Sequence, residues 1–554
     1  MPSLPVIESR RVLCLVLVIA GAATVLVTFW LHAFYTLPNH DNLIVLLGAD
    51  RLVRGGRFYY DIFDPDPPLI FILLEPVDLF AKLTGLDPYI AFSGWVSLLI
   101  VWSAAQIAPI LLHHFDSRPF AGAFSVLAYI AVLCLLPGYQ FGQREHIATI
   151  LFCPWLFHSA LEDREQLQLR HFSSILITAI AAIGLLIKPF FLLLPMGMLL
   201  FRAVERRSLR AALSRDCIVF SVVAVLYMMI IILLYPEYLR VARLAVETYR
   251  FLDQPIAIVV LVFCPPLLIG VAAWTMGELL PLAEPFRTLL RHLAVAVVLL
   301  FGCAVAQHKT WYYHNLPALI LMPSVLVLLI LAVWPSLARM QRAGRISAIA
   351  LMSGLFSVGW LVTFPCLASN FRSREAFMAE AFPHTLAELT ERRRAVLAIT
   401  IWGLDPVFPA VSLLKDQWAS RTALQWLVPA VVDLSQGSEA DRLRAARLKG
   451  LLTHQMVEDL ERYRPAVVAV QTSVPVEARD NRIALVKPNI FDALRLLSEE
   501  PAFRRSWAAY HQERVIPNWT FYVRSSEIKL GEEPKGRPGA SDTRHAVVTR
   551  NNER

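Results

Sequence analysis

Long apolar runs constrain the fold of this chain more than any other feature of its sequence. A transmembrane α-helix needs about 20 mostly apolar residues to cross the hydrocarbon of a bilayer. Nine separate runs of this kind occur before residue 370, so we predict a mainly α-helical, polytopic membrane protein. The runs cover residues 12–34, 90–112, 119–136, 146–161, 216–235, 256–276, 291–306, 314–334 and 346–365.

One further apolar stretch, 172–203, is too long for one ordinary span and is interrupted by Lys188 and Pro189. Proline lacks an amide hydrogen and clashes with the preceding turn, which favours a break in a helix. We therefore predict two short helices, 172–186 and 189–203, that meet at Lys188. Together with the nine other runs, they give a bundle of about 11 transmembrane helices.

The distribution of arginine supports this number of spans. Cytoplasmic loops of membrane proteins are enriched in Lys and Arg. With a cytoplasmic N-terminus and a hairpin over 172–203, the arginine-rich loops 204–215 and 335–345 lie inside. A single span over 172–203 would place both loops outside. The outer loop 236–255, with three arginines, is an exception to the rule. An odd number of spans places the C-terminus outside.

The composition changes near residue 370, where short apolar segments begin to alternate with amphipathic ones. This alternation indicates a small α/β domain. We predict strands over Ala395–Ile401, Ala466–Thr472 and Thr520–Arg524, and helices over 374–393, 438–463 and 489–498. The predicted domains are a transmembrane domain over 1–368 with a first outer loop 35–89, a periplasmic α/β domain over 369–528, and a disordered tail over 529–554.

The overall composition argues against several classes of protein. Hydrophobic residues make up 56% of the chain and charged residues 17%, against roughly 25% charged in a typical soluble domain. Much of the net charge of +8 is arginine beside apolar runs, so it does not indicate a nucleic-acid partner. The seven cysteines form no CxxC pair, which argues against a zinc site. No GxxxxGK[ST] loop is present, which argues against an ATP-driven pump.

Polar residues gather at the predicted outer ends of the spans. An ionisable group near the hydrocarbon is costly and therefore marks a candidate functional site. Asp41 follows the first span, Arg144 and Glu145 begin another, and Lys188 lies at the apex of the hairpin. Two acids and at least two cations at this level indicate a shared cavity for an anionic, membrane-borne substrate. Lys309, Tyr313 and His314 precede a late span at the same level.

Each of these residues also has an ordinary structural explanation, which the sequence leaves open. Asp41 fits a solvated acid that ends a helix, and Glu145 fits an acid favoured by the dipole of a helix N-terminus. Lys188 fits a side chain that extends to the membrane surface, and Lys309 fits an interfacial aromatic belt. In the functional interpretation, partial desolvation raises the pKa of Asp41 towards the working range of a general base.

A family resemblance rests on four features of this pattern. Asp41 lies directly after the first span, and Glu145 begins the span after the second outer loop. The stretch 52–61, followed by Pro67-Pro68-Leu69, is similar to an "a-x-x-G-x-x-P-Y-x-D…PPL" signature, and a Lys309…Tyr313-His314 set precedes a late span. In this combination the chain resembles the GT-C superfamily of integral membrane glycosyltransferases. The most similar members are bacterial proteins related to protein mannosyltransferases and aminoarabinose transferases, of the family 39 type.

Two positions depart from the family pattern. The family often has a second acid beside the first-loop aspartate, whereas His40 and Asn42 flank Asp41 in this chain. Position 58 is Phe where Pro is usual. The resemblance assigns no cofactor. The first departure leaves open whether a divalent metal takes part in the reaction.

The resemblance implies sugar transfer from a polyprenyl-phosphate-linked donor to a glycan, lipid or protein acceptor. The protein would be a multi-pass protein of the bacterial inner (plasma) membrane that acts at its outer face. Asp41 would be the catalytic base, and cations would neutralise the departing lipid phosphate. The implied substrate-binding residues are Arg57, Asp61, Arg144, Glu145, Lys188, Lys309, Tyr313 and His314.

Three other classes of function stay open at this point. A polymerase or ligase of surface polysaccharide would have a large outer loop late among the spans, whereas the late outer loops here are short. A transporter or flippase of lipid-linked sugars would place charges along a path through the membrane, and mid-span charges are few here. The sequence also shows no internal repeat of the kind that many transporters contain. A non-catalytic subunit of an envelope polysaccharide assembly system would use the C-terminal domain as its working surface.

Overall fold

The computed structural model describes residues 4–162, 171–280, 282, 284–337, nine positions between 346 and 359, 372–391, 394–400, 404–472 and 492–525. The predicted tail over 529–554 and most of the predicted span 346–365 lie outside the described residues. The number of 11 spans therefore stays a prediction.

Helices make up the described chain up to residue 337. Six of them are long and apolar enough to cross a membrane, and two more are shorter apolar helices. The helices are α1 Leu4–Trp30, α2 His40–Val53, α3 Pro68–Thr84, α4 Pro88–His114, α5 Pro119–Leu135, α6 Arg144–Glu162, α7 His171–Leu186, α8 Leu193–Glu205, α9 Arg215–Leu234, α10 Tyr238–Thr248, α11 Ile256–Leu279, α12 Glu284–Val305 and α13 Leu316–Leu337.

The predicted break at Lys188 is present. α7 ends at Leu186, a 3-10 turn follows over Pro189–Leu192, and α8 begins at Leu193. Lys188 itself is extended, with a φ of −133° and a ψ of 121°. The two short helices therefore form separate elements that meet at this residue.

The first predicted outer loop, 35–89, contains two helices. The side chain of Asn39 caps α2 by accepting hydrogen bonds from the backbone of Asp41 at 2.9 Å and of Asn42 at 3.4 Å. α3 begins at Pro68, where a missing amide hydrogen costs nothing. α2 and α3 pack closely at Gly48, because an added Cβ there would overlap the buried ring of Phe71.

The C-terminal domain contains a five-stranded mixed sheet in the order β2-β1-β3-β5-β4. β1 pairs in parallel with β2 and β3, while β5 is antiparallel to β3 and β4. The strands are β1 Ala395–Ile399, β2 Gln417–Trp418, β3 Val467–Gln471, β4 Tyr510–Ile516 and β5 Trp519–Arg524. The helices are α14 Arg374–Met378, α15 Ala381–Thr390, α16 Val407–Leu414, α17 Val428–Ser435, α18 Glu439–Tyr463, α19 Ala493–Ser498 and α20 Pro501–Trp507.

The C-terminal domain docks on one end of the helix bundle. The guanidinium of Arg374 donates to the backbone carbonyls of His32, Ala33 and Thr36 at 2.7–3.1 Å, which caps the π-helical turn that ends the first span. The amide of Leu37 donates to the carbonyl of Arg372 at 2.8 Å. This end of the bundle, where α1 ends and α6 begins, is called the capped end. Its side of the membrane stays a prediction.

Candidate active site

Asp41 lies in the first turn of α2, at the capped end, and its carboxylate is held by three neighbouring side chains. Gln143 Nε2 donates to Asp41 Oδ2 at 2.6 Å, and Arg144 Nη2 lies 3.7 Å from the same oxygen. His40 Nε2 lies 3.5 Å from Asp41 Oδ1. Only 13% of the Asp41 side chain is exposed. The acid is therefore enclosed in a polar environment.

The pKa of Asp41 lies below its ordinary value. Burial alone would raise this pKa, but the charges of His40 and Arg144 and the hydrogen bond from Gln143 outweigh it. The prediction of a raised pKa is therefore wrong, because sequence position alone does not reveal these stabilising partners. Asp41 is ionised at neutral pH, as a group that accepts a proton must be.

Arg144 lies between two acids. Its Nη1 forms an ion pair with Asp66, and its Nη2 faces Asp41. The amide of Asp66 donates to Asp64 Oδ1 at 2.9 Å, so the segment Asp64-Pro65-Asp66 turns towards the guanidinium. The Nε atom of Arg144 is buried without a hydrogen-bond partner among the described residues.

Asp64 is the carboxyl group of this cluster whose pKa is raised. Burial raises the pKa of Asp64 to about 6, while the positive charge of Arg144 opposes this rise and the negative charge of Asp41 adds to it. Two carboxylates with separated pKa values often divide acid and base roles in an active site. Asp64 therefore titrates close to neutral pH, whereas Asp41 does not.

Glu145 and Lys188 form a buried ion pair between α6 and the break in the hairpin. Lys188 Nζ also lies 3.4 Å from Gln307 Oε1 and 5.1 Å from the centre of the Tyr313 ring. Since Lys188 is only 9% exposed, it does not extend into free water. Glu145 Oε2 has no hydrogen-bond partner in the part of the chain that the structure describes.

Lys309 belongs to the next segment of the cluster and also has an acidic partner. It forms an ion pair with Asp253 and donates to the carbonyl of Tyr249 at 3.1 Å. Burial lowers the pKa of Lys309, and the charge of Asp253 opposes this effect. His314 is within electrostatic reach of three cations of the cluster, Lys188, Arg144 and Lys309.

Tyr313 lies beside the Glu145–Lys188 ion pair. It interacts electrostatically with Asp41, Arg144 and Glu145, and its ring meets that of His314 at a centroid distance of 4.6 Å. The structure therefore brings seven of the nine predicted site residues into one neighbourhood: Asp41, Arg144, Glu145, Lys188, Lys309, Tyr313 and His314.

Arg57 and Asp61 have other partners. Asp61 forms an ion pair of 2.7 Å with Arg462 of the C-terminal domain and accepts a hydrogen bond from the Arg57 amide at 2.8 Å. The Arg57 side chain is 64% exposed and its guanidinium lies 4.8 Å from the centre of the Tyr60 ring. Asp61 therefore lies where the first loop meets the C-terminal domain, and Arg57 lies beside it with an exposed side chain. Their assignment to the substrate site stays a prediction.

Several members of the cluster were not predicted. Gln143 and Gln307 stood within polar sequence clusters, but a neutral amide gives no signal of its own. Asp64 and Asp66 lie in the first outer loop beside the Pro67-Pro68 pair, so the sequence shows two further acids on the predicted outer side. Asp253 gave no signal, because it follows an amphipathic stretch in which charged residues are ordinary.

Each cation of the cluster has an acidic partner. Five carboxylates, Asp41, Asp64, Asp66, Glu145 and Asp253, face the three cations Arg144, Lys188 and Lys309. An incoming phosphate must therefore share or displace an existing ion pair. Within the described ranges, no group of three or more His, Cys, Asp or Glu side chains is arranged to hold a metal ion.

Comparisons with known proteins give a likeness in structure but none in sequence. No family model matches the chain, and no curated protein matches it. The crystal structure of ArnT from Cupriavidus metallidurans in the apo state is similar over 91% of this chain and 97% of that chain, at 12% sequence identity and a TM-score of 0.47.

Proposed function

We propose that this protein is a membrane glycosyltransferase that moves a sugar from a polyprenyl-phosphate-linked donor to an acceptor hydroxyl, with Asp41 as the base. One observation carries the proposal. An ionised, enclosed carboxylate at the start of α2 lies within a single cluster of cations that includes Arg144 and Lys188. That arrangement combines a proton acceptor with positive charge for a departing phosphate. The sequence resemblance supports the same reaction class.

The reaction would be a single displacement with inversion at the sugar. The acceptor oxygen attacks the anomeric carbon while the bond from that carbon to the lipid phosphate oxygen breaks. Asp41 takes the proton of the acceptor hydroxyl, and the phosphate leaves with the bonding electron pair. Arg144 and Lys188 stabilise its negative charge, as fixed cations in a site of restricted water do. Glu145 orients Lys188, with which it already pairs.

The ion pairs of the site fit this role. Asp66 and Glu145 neutralise Arg144 and Lys188, which avoids the high cost of unpaired buried charge. A phosphate near these side chains takes over part of that neutralisation. General bases contribute roughly 10²–10⁴-fold to rate, so loss of Asp41 would remove most of the activity.

The proposed location is the bacterial inner membrane, with the N-terminus in the cytoplasm and the capped end in the periplasm. The arginine-rich turn between α8 and α9 supports this orientation by the positive-inside rule. The lipid donor would approach from the bilayer near the hairpin break, where Phe190 is 44% and Leu193 42% exposed.

A transporter of lipid-linked sugars is the second candidate, and the position of the buried charges argues against it. A further buried ion pair between helices, Arg202–Asp216, is contacted by Trp155, which lies about 15 Å along α6 from Glu145. Charges at two separate levels, with apolar core between them, do not form a polar path across the membrane.

The test compares Asp41→Asn with Asp50→Asn in a strain that carries the gene. Both acids lie on α2, but Asp50 pairs with Arg54 and Lys82 outside the cluster. Envelope glycans, glycolipids and glycoproteins are compared by mass spectrometry at equal membrane levels of each variant. We expect Asp41→Asn to give the profile of the gene deletion and Asp50→Asn that of the wild type. A wild-type profile for Asp41→Asn would reject Asp41 as the base, and an unchanged profile in the deletion would reject sugar transfer.

A further inference from the structure

The C-terminal domain holds Phe63 of the first loop by three contacts, two of them from Trp426. The two rings stack at 5.0 Å with an interplanar angle of 19°, and the Trp426 indole donates to the Phe63 carbonyl at 3.2 Å. The Phe63 amide donates to the carbonyl of Arg421 at 2.8 Å. Phe63 is 2% and Trp426 4% exposed. This short segment is therefore fixed through both its backbone and its side chain.

The loop that carries Trp426 is itself anchored. Arg421 Nε donates to Asp459 Oδ1 at 2.8 Å, and the Ser420 hydroxyl donates to Asp459 Oδ2 at 2.7 Å. Arg51 of α2 donates to the carbonyls of Ser420 at 2.7 Å and of Asp61 at 2.7 Å. One guanidinium thus ties the first loop, two residues before Phe63, to this loop.

Two paths lead from Trp426 to the candidate active site. Asp64 and Asp66 follow Phe63 directly, and Asp66 pairs with Arg144, which faces Asp41. On its other side, Trp426 lies 5.8 Å from the ring of Tyr249, whose carbonyl accepts a hydrogen bond from Lys309. A single side chain therefore contacts both segments that hold site cations.

We propose that Trp426 is a positioning residue of the transferase site, and that the C-terminal domain completes this site by holding Phe63 and Tyr249. The inference rests on the proposed function. Trp426 touches neither Asp41 nor the cations. Its effect passes through Asp66 to Arg144 and through Tyr249 to Lys309. A displacement of a site group by about 1 Å is enough to reduce catalysis roughly 10²-fold.

The test uses the full chain with Trp426→Ala, Trp426→Phe and, as a matched control, Trp507→Phe. Trp507 is also packed among aromatic rings of the C-terminal domain, but its partners are Phe503, Tyr510 and Tyr522 of that domain. Glycan product is measured at equal membrane levels, in parallel with Asp41→Asn. We expect product to fall at least tenfold for Trp426→Ala, to recover partly for Trp426→Phe, which keeps a stacking ring, and to stay unchanged for Trp507→Phe.

Hydrogen–deuterium exchange of the purified proteins gives a second measurement that needs no substrate. Trp426→Ala is expected to speed exchange in the peptides covering residues 61–67 and 244–253, and Trp507→Phe is not. Wild-type product with Trp426→Ala, or unchanged exchange in both peptides, would overturn the positioning role. If Asp41→Asn makes normal product, the proposed function fails instead, and the exchange data alone decide whether Trp426 holds the two segments.

Discussion

Asp41 and Asp64 are neighbours in one cluster, yet their surroundings drive their pKa values in opposite directions. Asp41 has His40, Arg144 and a Gln143 hydrogen bond to offset the effect of burial. Asp64 has Arg144 as an opposing charge, but burial and the charge of Asp41 prevail. Both acids are therefore mostly ionised at neutral pH. The ionised form of Asp64 lowers the stability of the folded protein, because burial disfavours its charge.

Replacing Asp64 by Asn should stabilise the protein at alkaline pH. The pKa of Asp64 is about 6 in the folded protein and near 3.8 in the unfolded chain, so its ionised form is disfavoured by folding. That penalty is absent well below pH 3.8, grows as the pH rises, and is complete above pH 6. Because Asp64 is only half-buried, solvent screening limits it to about 2 kcal/mol. Thermal unfolding of both proteins in detergent from pH 4.5 to 8 measures the difference.

The gain in stability at higher pH is expected for the replacement of Asp64 but not for that of Asp61. Asp61→Asn is the control, because the pKa of Asp61 is lowered, its hydrogen bonds from Arg57 and Arg462 outweighing the effect of burial. That variant should lose stability at neutral pH rather than gain it. If Asp64→Asn gains nothing between pH 6 and 8, the carboxyl is better solvated than its position indicates.

Removing Lys188 should cost far more stability than removing a surface lysine. Lys188→Met leaves Glu145 as an uncompensated buried charge, which costs about 3–5 kcal/mol. The double variant Lys188→Met with Glu145→Gln should recover much of this loss while it stays inactive. Lys449→Met, which breaks an exposed pair with Glu499, should cost less than about 1 kcal/mol. Thermal unfolding measures all three, and a double variant that is no more stable than Lys188→Met would contradict the pairing.

The sequence could identify part of this site and not the rest, for a physical reason. Asp41, Glu145 and Lys188 stand out because charged groups are rare beside apolar spans, where each needs a compensating partner. The partner is a matter of three-dimensional packing. Nothing in the sequence pairs Lys309 with Asp253, which is 56 residues away, or separates the environments of Asp41 and Asp64.

At the scale of elements, the sequence predicts those strands and helices whose apolar residues form a clear pattern. β1 and β3 are apolar and buried along nearly their whole length, and both were predicted within two residues of their bounds. β4 was missed because it is an exposed edge strand with charged residues, and β2 because it has two residues. The helix predicted over 374–393 forms two helices, α14 and α15, with a break at Ala379-Glu380.

The contact between α2 and α3 gives a prediction at this scale. Gly48→Ala should destabilise the protein by about 1–3 kcal/mol, because the new methyl group overlaps the buried Phe71 ring. Gly94→Ala in α4 is the matched control, since its Cβ would lie 3.6 Å from the nearest atom, Phe29 Cε2. There the better helix propensity of alanine should add up to about 1 kcal/mol. Equal unfolding temperatures for the two variants would show that α2 and α3 separate easily.

At the scale of the whole molecule, two of the three arginines of loop 236–255, which is predicted to lie outside, make contacts within the capped end. Arg240 donates to the Tyr60 hydroxyl at 3.2 Å, and Arg243 pairs with Glu247 at 3.3 Å. Glu247 also pairs with Arg447 of the C-terminal domain at 3.0 Å. These charges are used in contacts within the capped end, so they do not act as free topological signals.

The orientation of the whole chain is open to a direct test. Ser208, in the arginine-rich turn between α8 and α9, and Ser435, in the C-terminal domain, are both exposed and small. A membrane-impermeant maleimide applied to intact spheroplasts should label Ser435→Cys, whereas Ser208→Cys should be labelled only after permeabilisation. The native cysteines lie in or beside apolar runs, so the parent protein gives the background. The opposite labelling pattern would place the capped end in the cytoplasm, and it would exclude a periplasmic donor and acceptor for the Asp41 site.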